Sequence, residues 1–247
     1  MEINARSLSR LGLVLGTASE YILRYGARRL FGRLTVQARA QWLHRCCGRG
    51  LRRLGIPVQV SGKFPSRGLI VSNHLSYLDI LIYSSISPCV FVSKREVRSW
   101  PVFGIMAAIA GTVFIDRARN VDALRVNNEM LETLAQDAVV VLYAEGTSSD
   151  GHGVLPFRPA LFDGVVRSGV PITPAHIRYR LSDGRPEDDV CYWGDHSFLP
   201  HLLRCLSRHG LQAAVQFSAE SRTYEDRKVA AQQTHDAVAK LAQQAAG

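Results

Sequence analysis

Leu69-Ile70-Val71-Ser72-Asn73-His74-Leu75-Ser76-Tyr77-Leu78-Asp79 is the stretch that decides how this chain is read. Its apolar start, Leu69-Ile70-Val71, reads as a strand. Small polar residues end that run, and residues 77–85 then follow a helical pattern. The strand thus delivers a histidine to its carboxyl end and an aspartate to the first turn of the next helix. One helical turn rises about 5.4 Å, so the Asp79 carboxylate can fold back onto the His74 ring. A carboxylate that accepts from Nδ1–H fixes the tautomer and leaves Nε2 as a base. Such a pair needs no nucleophile from the protein, because the base can activate a hydroxyl carried by a substrate.

Outward from this unit, strands and helices alternate. Strand patterns occupy 58–60, 89–92, 112–115, 139–143, 172–177, 190–192 and 213–217. Helical patterns occupy 102–110, 121–136, 160–167, 199–206 and 226–244, and 180–189 reads as a polar loop. The alternation predicts an α/β fold, a mixed, largely parallel sheet flanked by helices, with an N-terminal amphipathic helical hairpin. Ligands of such sheets bind beyond the carboxyl ends of the strands. Asn73-His74, Asp116-Arg117 and Glu145-Gly146-Thr147 all fall at such ends and can converge on one cleft.

Of the 247 residues 47% are apolar and 21% charged, which excludes a disordered or collagen-like chain. The uncharged stretch 99–115 is interrupted by Pro101, Gly104 and Gly111. It reads as a loop, a buried helix and a strand, and not as a membrane-spanning helix. Residues 1–55 contain 11 arginines, no lysine and two acids, Glu2 and Glu20, and so carry the whole net charge of +9.

Within this basic segment Leu8, Leu11, Leu15, Ala18, Ile22 and Tyr25 recur at helical spacing, as do Leu30, Leu34, Ala38 and Trp42. Arginine-studded helices of this kind can lie in a membrane interface, each arginine near an anionic leaflet adding about 1 kcal/mol. The competing readings are a hairpin packed on its own domain with a solvated basic face, and an organellar transit peptide. We divide the chain into a basic membrane-association segment, 1–56, and an α/β domain, 57–247. The aromatic-basic pattern of a nucleic-acid recognition sheet is absent, so no nucleic-acid partner is expected. The five cysteines form no CxxC pair, and no secretory signal pattern is evident. These features predict a reduced compartment and a peripheral or monotopic position on the cytoplasmic face of a membrane. His152, His176, His196 and His201 show no ligand spacing, so neither a metal nor a cofactor is expected.

Four ordered blocks carry a resemblance to a known family. The chain resembles the glycerolipid acyltransferases typified by bacterial 1-acylglycerol-3-phosphate acyltransferases. The HxxxxD motif of that family matches His74 to Asp79. Its second block matches Gly111-Thr112-Val113-Phe114-Ile115-Asp116-Arg117, its third Glu145-Gly146-Thr147, and its fourth Val170-Pro171-Ile172-Thr173-Pro174-Ala175. The resemblance implies that His74, oriented by Asp79, takes a proton from a lysolipid hydroxyl while its oxygen attacks the thioester of acyl-CoA or acyl-carrier protein. It also implies acceptor binding by Arg117, Glu145, Gly146 and Thr147. Asn73 is a further candidate for substrate contact or for capping the next helix.

Two departures bear on the acceptor. Phosphate-acceptor members commonly have arginine directly after Glu-Gly-Thr, whereas this chain has Ser148. The usual aromatic-basic-x-Gly turn becomes Phe157-Arg158-Pro159-Ala160, where Arg158 can supply a replacement cation. The run 145–162, with Tyr192-Trp193-Gly194-Asp195, looks like the lyso-ornithine-lipid branch, whose acceptor is a zwitterionic acylated amino acid. Two rivals are a serine hydrolase using Ser148 or Ser149, whose GxSxG elbow is incomplete, and a non-catalytic membrane-binding module.

Overall fold

The computed structural model describes residues 4–32, 34–115 and 120–246. Two helices, α1 (Ala5–Arg29) and α2 (Val36–Leu54), precede β1 (Val58–Ser61) and β2 (Gly68–Ser72). Then follow α3 (Leu78–Ile86), β3 (Val90–Lys94), a 3-10 turn (Arg95–Ser99), α4 (Phe103–Ala110) and β4 (Val113–Ile115). The next elements are α5 (Asn120–Leu134), β5 (Val139–Leu142), a 3-10 turn (Pro159–Leu161), α6 (Asp163–Arg167) and β6 (Ile172–Arg180). The chain closes with α7 (Pro186–Asp189), α8 (Phe198–Ser207), β7 (Gln212–Phe217) and α9 (Arg227–Ala246).

The strands form one sheet in the order β1-β7-β6-β2-β5-β3-β4. Every neighbouring pair is parallel except β6 and β7. The mixed, largely parallel sheet expected from the sequence is therefore present. Its middle strands, β2 and β5, are buried along their whole length, which is why they read as continuous apolar runs.

Topology sets the two layers. From β2 the chain steps outward through α3 and α4 to β3 and β4, then returns through α5 and α6 to β5 and β6. Right-handed crossovers in opposite directions place their helices on opposite faces. One core accordingly joins α1 to α4 and α8 with Ile70, Phe91 and Val141. The other joins α5, α6 and α9 with Leu69, Val71, Val140 and Leu142. Such a reversal opens a crevice at the carboxyl ends of the strands beside it. Truncating Ile70 or Val141, both fully buried, to alanine costs about 1–4 kcal/mol through the cavity left behind.

The N-terminal hairpin is present, with two shifts from expectation. Thr35 caps α2 by accepting from the Ala38 amide, so Leu30 and Leu34 lie in the turn and not on the second helix. On α1 the packed face is Leu11, Val14, Ala18 and Tyr21, while Leu8 and Leu15 point outward. The helix is apolar on two sides, and spacing alone cannot say which side packs. Several arginines serve the fold: Arg10 donates to Leu54 and Arg208 carbonyls, and Arg39 to those of Ala108 and Ile109. Arg24, Arg49 and Arg53 all pair with Glu20. Arg28, Arg29, Arg45 and Arg52 have no partner among the described residues.

Residues 190–192 form no strand, contrary to the alternation read there. Val190 and Cys191 amides close a turn on the Pro186 carbonyl, and Tyr192 then bonds a loop instead of a ladder. Their burial comes from lying across the site, which mimics the pattern of a strand. A short helix, α7, also forms within the expected loop 180–189. Among the described residues, no helix is long and apolar enough to cross a membrane.

Candidate active site

The loop after β2 carries His74, and α3 carries Asp79 in its first turn. His74 Nδ1 lies 2.7 Å from Asp79 Oδ2. The same oxygen accepts the amides of Leu75 (2.8 Å) and Ser76 (3.1 Å), so the carboxylate itself shapes the turn that presents the histidine. Tyr179 on β6 donates its hydroxyl to the other oxygen, Oδ1, at 2.6 Å. Asp79 is fully buried, whereas the His74 side chain keeps 18% of its surface. With Nδ1–H directed at the carboxylate, Nε2 is the basic nitrogen, and it has no partner among the described residues. The imidazole is stacked on the Tyr143 ring, centroids 4.1 Å apart and planes inclined by 12°, which fixes its tilt.

Asn73 neither caps α3 nor faces the cleft. Its Oδ1 accepts the Ile177 amide at 2.8 Å and its Nδ2 donates to the Ile177 carbonyl at 2.9 Å. The amide matches a backbone N–H and C=O pair, so it clamps the histidine loop to β6 from a buried position.

Glu145 follows β5. It is buried, 4% exposed, and neither carboxylate oxygen has a hydrogen-bond partner. Burial pushes its pKa up to about 8. The His74 and Leu155 amides face it and oppose that shift, without completing a bond of good geometry. Glu145 is thus mostly a neutral acid near pH 7, able to donate as well as accept. Gly146 has φ +79°, and a Cβ there would sit 2.4 Å from Arg158 Nε. Only glycine lets the exposed Arg158 side chain lie across this turn. Thr147 is exposed beside it. Arg158 is anchored through its backbone, its amide donating to the Ala144 carbonyl. Arg117 and Asp116 lie outside the described residues.

Three loops are tied together here. The Ser149 amide donates to the His74 carbonyl, the Tyr192 amide to the Leu75 carbonyl, and the Ser148 hydroxyl to the Tyr192 carbonyl. Ser148 lines the same cavity as His74, with its hydroxyl directed to the Tyr192 carbonyl and not to the imidazole. A cavity of about 90 Å³ opens on His74, walled by Tyr77, Val97, Trp100, Tyr143 and Tyr192, with Lys94 among its lining residues. Behind this wall His201 is buried between Tyr77 and Cys191, and burial lowers its pKa to about 4. It is neutral, donating through Nε2 to the Cys191 carbonyl and accepting the Tyr77 hydroxyl at Nδ1. Sequence reasoning missed Tyr143, Tyr179 and Trp100. For Tyr143 and Tyr179 the only signal was an aromatic residue near a strand end, and Trp100, beyond the 3-10 turn that follows β3, had none.

The fold is thus a mixed, largely parallel α/β sheet that holds a His–Asp pair and a glycine-centred loop at its carboxyl edge. Residues 56–178 match the family model described as acyltransferase. Over 208 residues the chain is 35% identical to the lyso-ornithine lipid O-acyltransferase of Pseudomonas aeruginosa, covering 82% of this chain and 77% of that one. It is 35% identical to the 1-acyl-sn-glycerol-3-phosphate acyltransferase of Neisseria meningitidis, covering 73% and 72% of the two chains. These matches show that the chain belongs to the acyltransferase family. With the lyso-ornithine lipid O-acyltransferase of Rhizobium meliloti, also 35% identical, the match covers 66% of this chain and spans 61% of that protein's length. The crystal structure of the 1-acyl-sn-glycerophosphate acyltransferase PlsC of Thermotoga maritima aligns over 98% of each chain with a TM-score of 0.68 at 21% identity, a likeness of fold.

Proposed function

We propose that this protein moves a fatty acyl group from an acyl thioester, acyl-CoA or acyl-carrier protein, to the free hydroxyl of a lysolipid at a membrane surface. His74 Nε2 takes the hydroxyl proton as the oxygen attacks the thioester carbon. The tetrahedral intermediate collapses by breaking the C–S bond, and the same nitrogen returns the proton to the leaving thiolate. Asp79 keeps Nδ1 protonated and stabilises the transient imidazolium. The observation that carries this reading is the His74 ring, backed by a fully buried carboxylate and opening on a largely apolar cavity. An acyl chain and a thioester suit such walls, and general-base catalysis contributes about 10²–10⁴-fold.

The acceptor we favour is lyso-ornithine lipid over 1-acylglycerol 3-phosphate. Ser148 stands where phosphate-acceptor members carry arginine, and its hydroxyl is engaged by the Tyr192 carbonyl. Arg158, across Gly146, offers one cation to a carboxylate, with Glu145 and Thr147 as further acceptor contacts. Relatives of both specificities are similar to this chain, and Ser148 together with Arg158 supports the choice between them.

Residues 1–56 form the membrane-facing segment in this account. Leu8, Leu15 and Leu23 fall on one stripe of α1 and are 55%, 40% and 73% exposed. Leu30 and Phe31 at the hairpin tip are 84% and 92% exposed, next to the unpartnered Arg28 and Arg29. Apolar side chains and arginines together suit an anionic interface on the cytoplasmic face.

The test is a panel of lysolipid acceptors offered with one labelled acyl thioester, read by product mass. A diacylated ornithine lipid is the expected main product. Phosphatidate as the main product would reassign the acceptor, and acylation of neither class would refute the proposal.

A further inference from the structure

A second cavity, of about 500 Å³, lies at the free edge of the sheet beside β4. Among the described residues its walls are Arg95, Arg98 and Arg125 with Ala108, Thr112, Phe114 and Glu129. Glu129 is engaged with Arg125, which also donates to the Phe114 carbonyl at 2.6 Å. The Arg98 guanidinium lies over the Phe114 ring, 5.8 Å from its centroid. The Ala108 carbonyl on the rim accepts from Arg39. Among the described residues three arginines gather in this concavity, two of them steered by the same phenylalanine, and guanidinium groups suit phosphate oxygens.

The place of this cavity gives it a role. The 3-10 turn Arg95–Ser99 is its common wall with the His74 cavity. Lys94 and Val97 line the His74 side, and Arg95 and Arg98 line the basic side. The acceptor groups Glu145, Gly146 and Arg158 follow β5, whereas this cavity lies past β3, at the outermost strand. From β2, which carries His74, to β4 there are three strand intervals, about 14 Å in all. A pantetheine arm has about 13 bonds between its thioester sulfur and its phosphate. At the roughly 3.5 Å per three bonds of an extended chain it spans about 15 Å. A thioester placed at His74 can therefore carry its phosphate to this cavity.

We infer that Arg95, Arg98 and Arg125 bind the phosphate that joins the donor's pantetheine arm to its carrier, the group common to acyl-CoA and acyl-carrier protein. The inference rests on the acyl-transfer reading and assigns the donor side of the site.

The test uses the full chain and the exposed variants Arg95→Ala and Arg98→Ala. Rates are measured with palmitoyl-CoA, palmitoyl-carrier protein and palmitoyl-pantetheine, which lacks the phosphate. The wild type should favour the phosphate-bearing donors, and each variant should cut that preference in kcat/KM at least tenfold through donor KM. A preference that the variants leave intact, or that the wild type never shows, overturns the inference. So does an effect confined to the lysolipid KM, which would assign the arginines to a lipid headgroup. Calorimetric binding of CoA to the same proteins separates the two readings. CoA binding that weakens tenfold in Arg98→Ala without any acyl transfer keeps the site and discards the reaction. Equal CoA binding by the wild type and the variants discards the site.

Discussion

Tyr179 donates to Asp79 Oδ1 at 2.6 Å while His74 holds Oδ2 at 2.7 Å, so the carboxylate is gripped at both oxygens. Tyr179 belongs to β6, which pairs directly with β2, and the sheet itself thereby sets the plane of the carboxylate. Tyr179→Phe removes one charge-assisted hydrogen bond of about 1.5 kcal/mol. We expect a kcat about tenfold lower with lysolipid KM little changed, read by steady-state kinetics. An unaltered kcat would show that the phenol only packs.

Glu145 gives a pH signature to stability. Its folded pKa, about 8, lies above its ordinary value of 4.5, so between those pH values the folded state holds more protons than the unfolded state. Stability from this group is complete below pH 4.5 and is lost as pH rises toward 8. Glu145→Gln stays neutral throughout. Urea unfolding at several pH values across that window should show the variant gaining on the wild type by up to ~4 kcal/mol as pH rises. A constant difference would contradict the buried-acid assignment.

Asn73 is a structural clamp in this account. Asn73→Ala leaves the buried amide and carbonyl of Ile177 unpaired, costing about 2–4 kcal/mol. Thermal unfolding should register that loss along with lower activity, whereas a substrate-contact role would raise KM with stability preserved.

Much of this was legible in the sequence, and the exceptions have physical causes. The central strands announced themselves because burial on both faces demands unbroken Leu, Ile and Val, as in 69–71 and 139–142. The His74–Asp79 pair followed from helical rise together with the further blocks at strand ends, 111–117 and 145–147. Tyr179 was invisible because its partner lies 100 positions away, and only strand pairing brings them together. Residues 190–192 misled because a segment laid across a cleft buries the same residue types as a strand. Asn73 was seen as important, but its partner, a backbone segment of β6, leaves no trace in side-chain patterns.

Ser148 distinguishes transfer from hydrolysis. Its hydroxyl donates to the Tyr192 carbonyl, not to an imidazole. Ser148→Ala should lose less than about tenfold in rate, the scale of one neutral hydrogen bond. Complete inactivation with an intact fold would instead favour a serine nucleophile.

The hairpin tip tests membrane association. Leu23 and Phe31 are 73% and 92% exposed, and burying such side chains in an interface is worth about 1.5–3 kcal/mol each. Leu23→Asp combined with Phe31→Asp should weaken flotation with anionic vesicles at least ~tenfold without changing the melting temperature. Binding that survives the pair of substitutions would remove Leu23 and the hairpin tip from the contact.

Acyl transfer by His74→Ala is the most direct measurement of the central claim. With purified full-length chain, labelled thioester and lysolipid, the variant should form product about 10²–10⁴-fold more slowly while keeping the wild-type melting profile. A folded His74→Ala protein that acylates lysolipid at the wild-type rate would contradict the account.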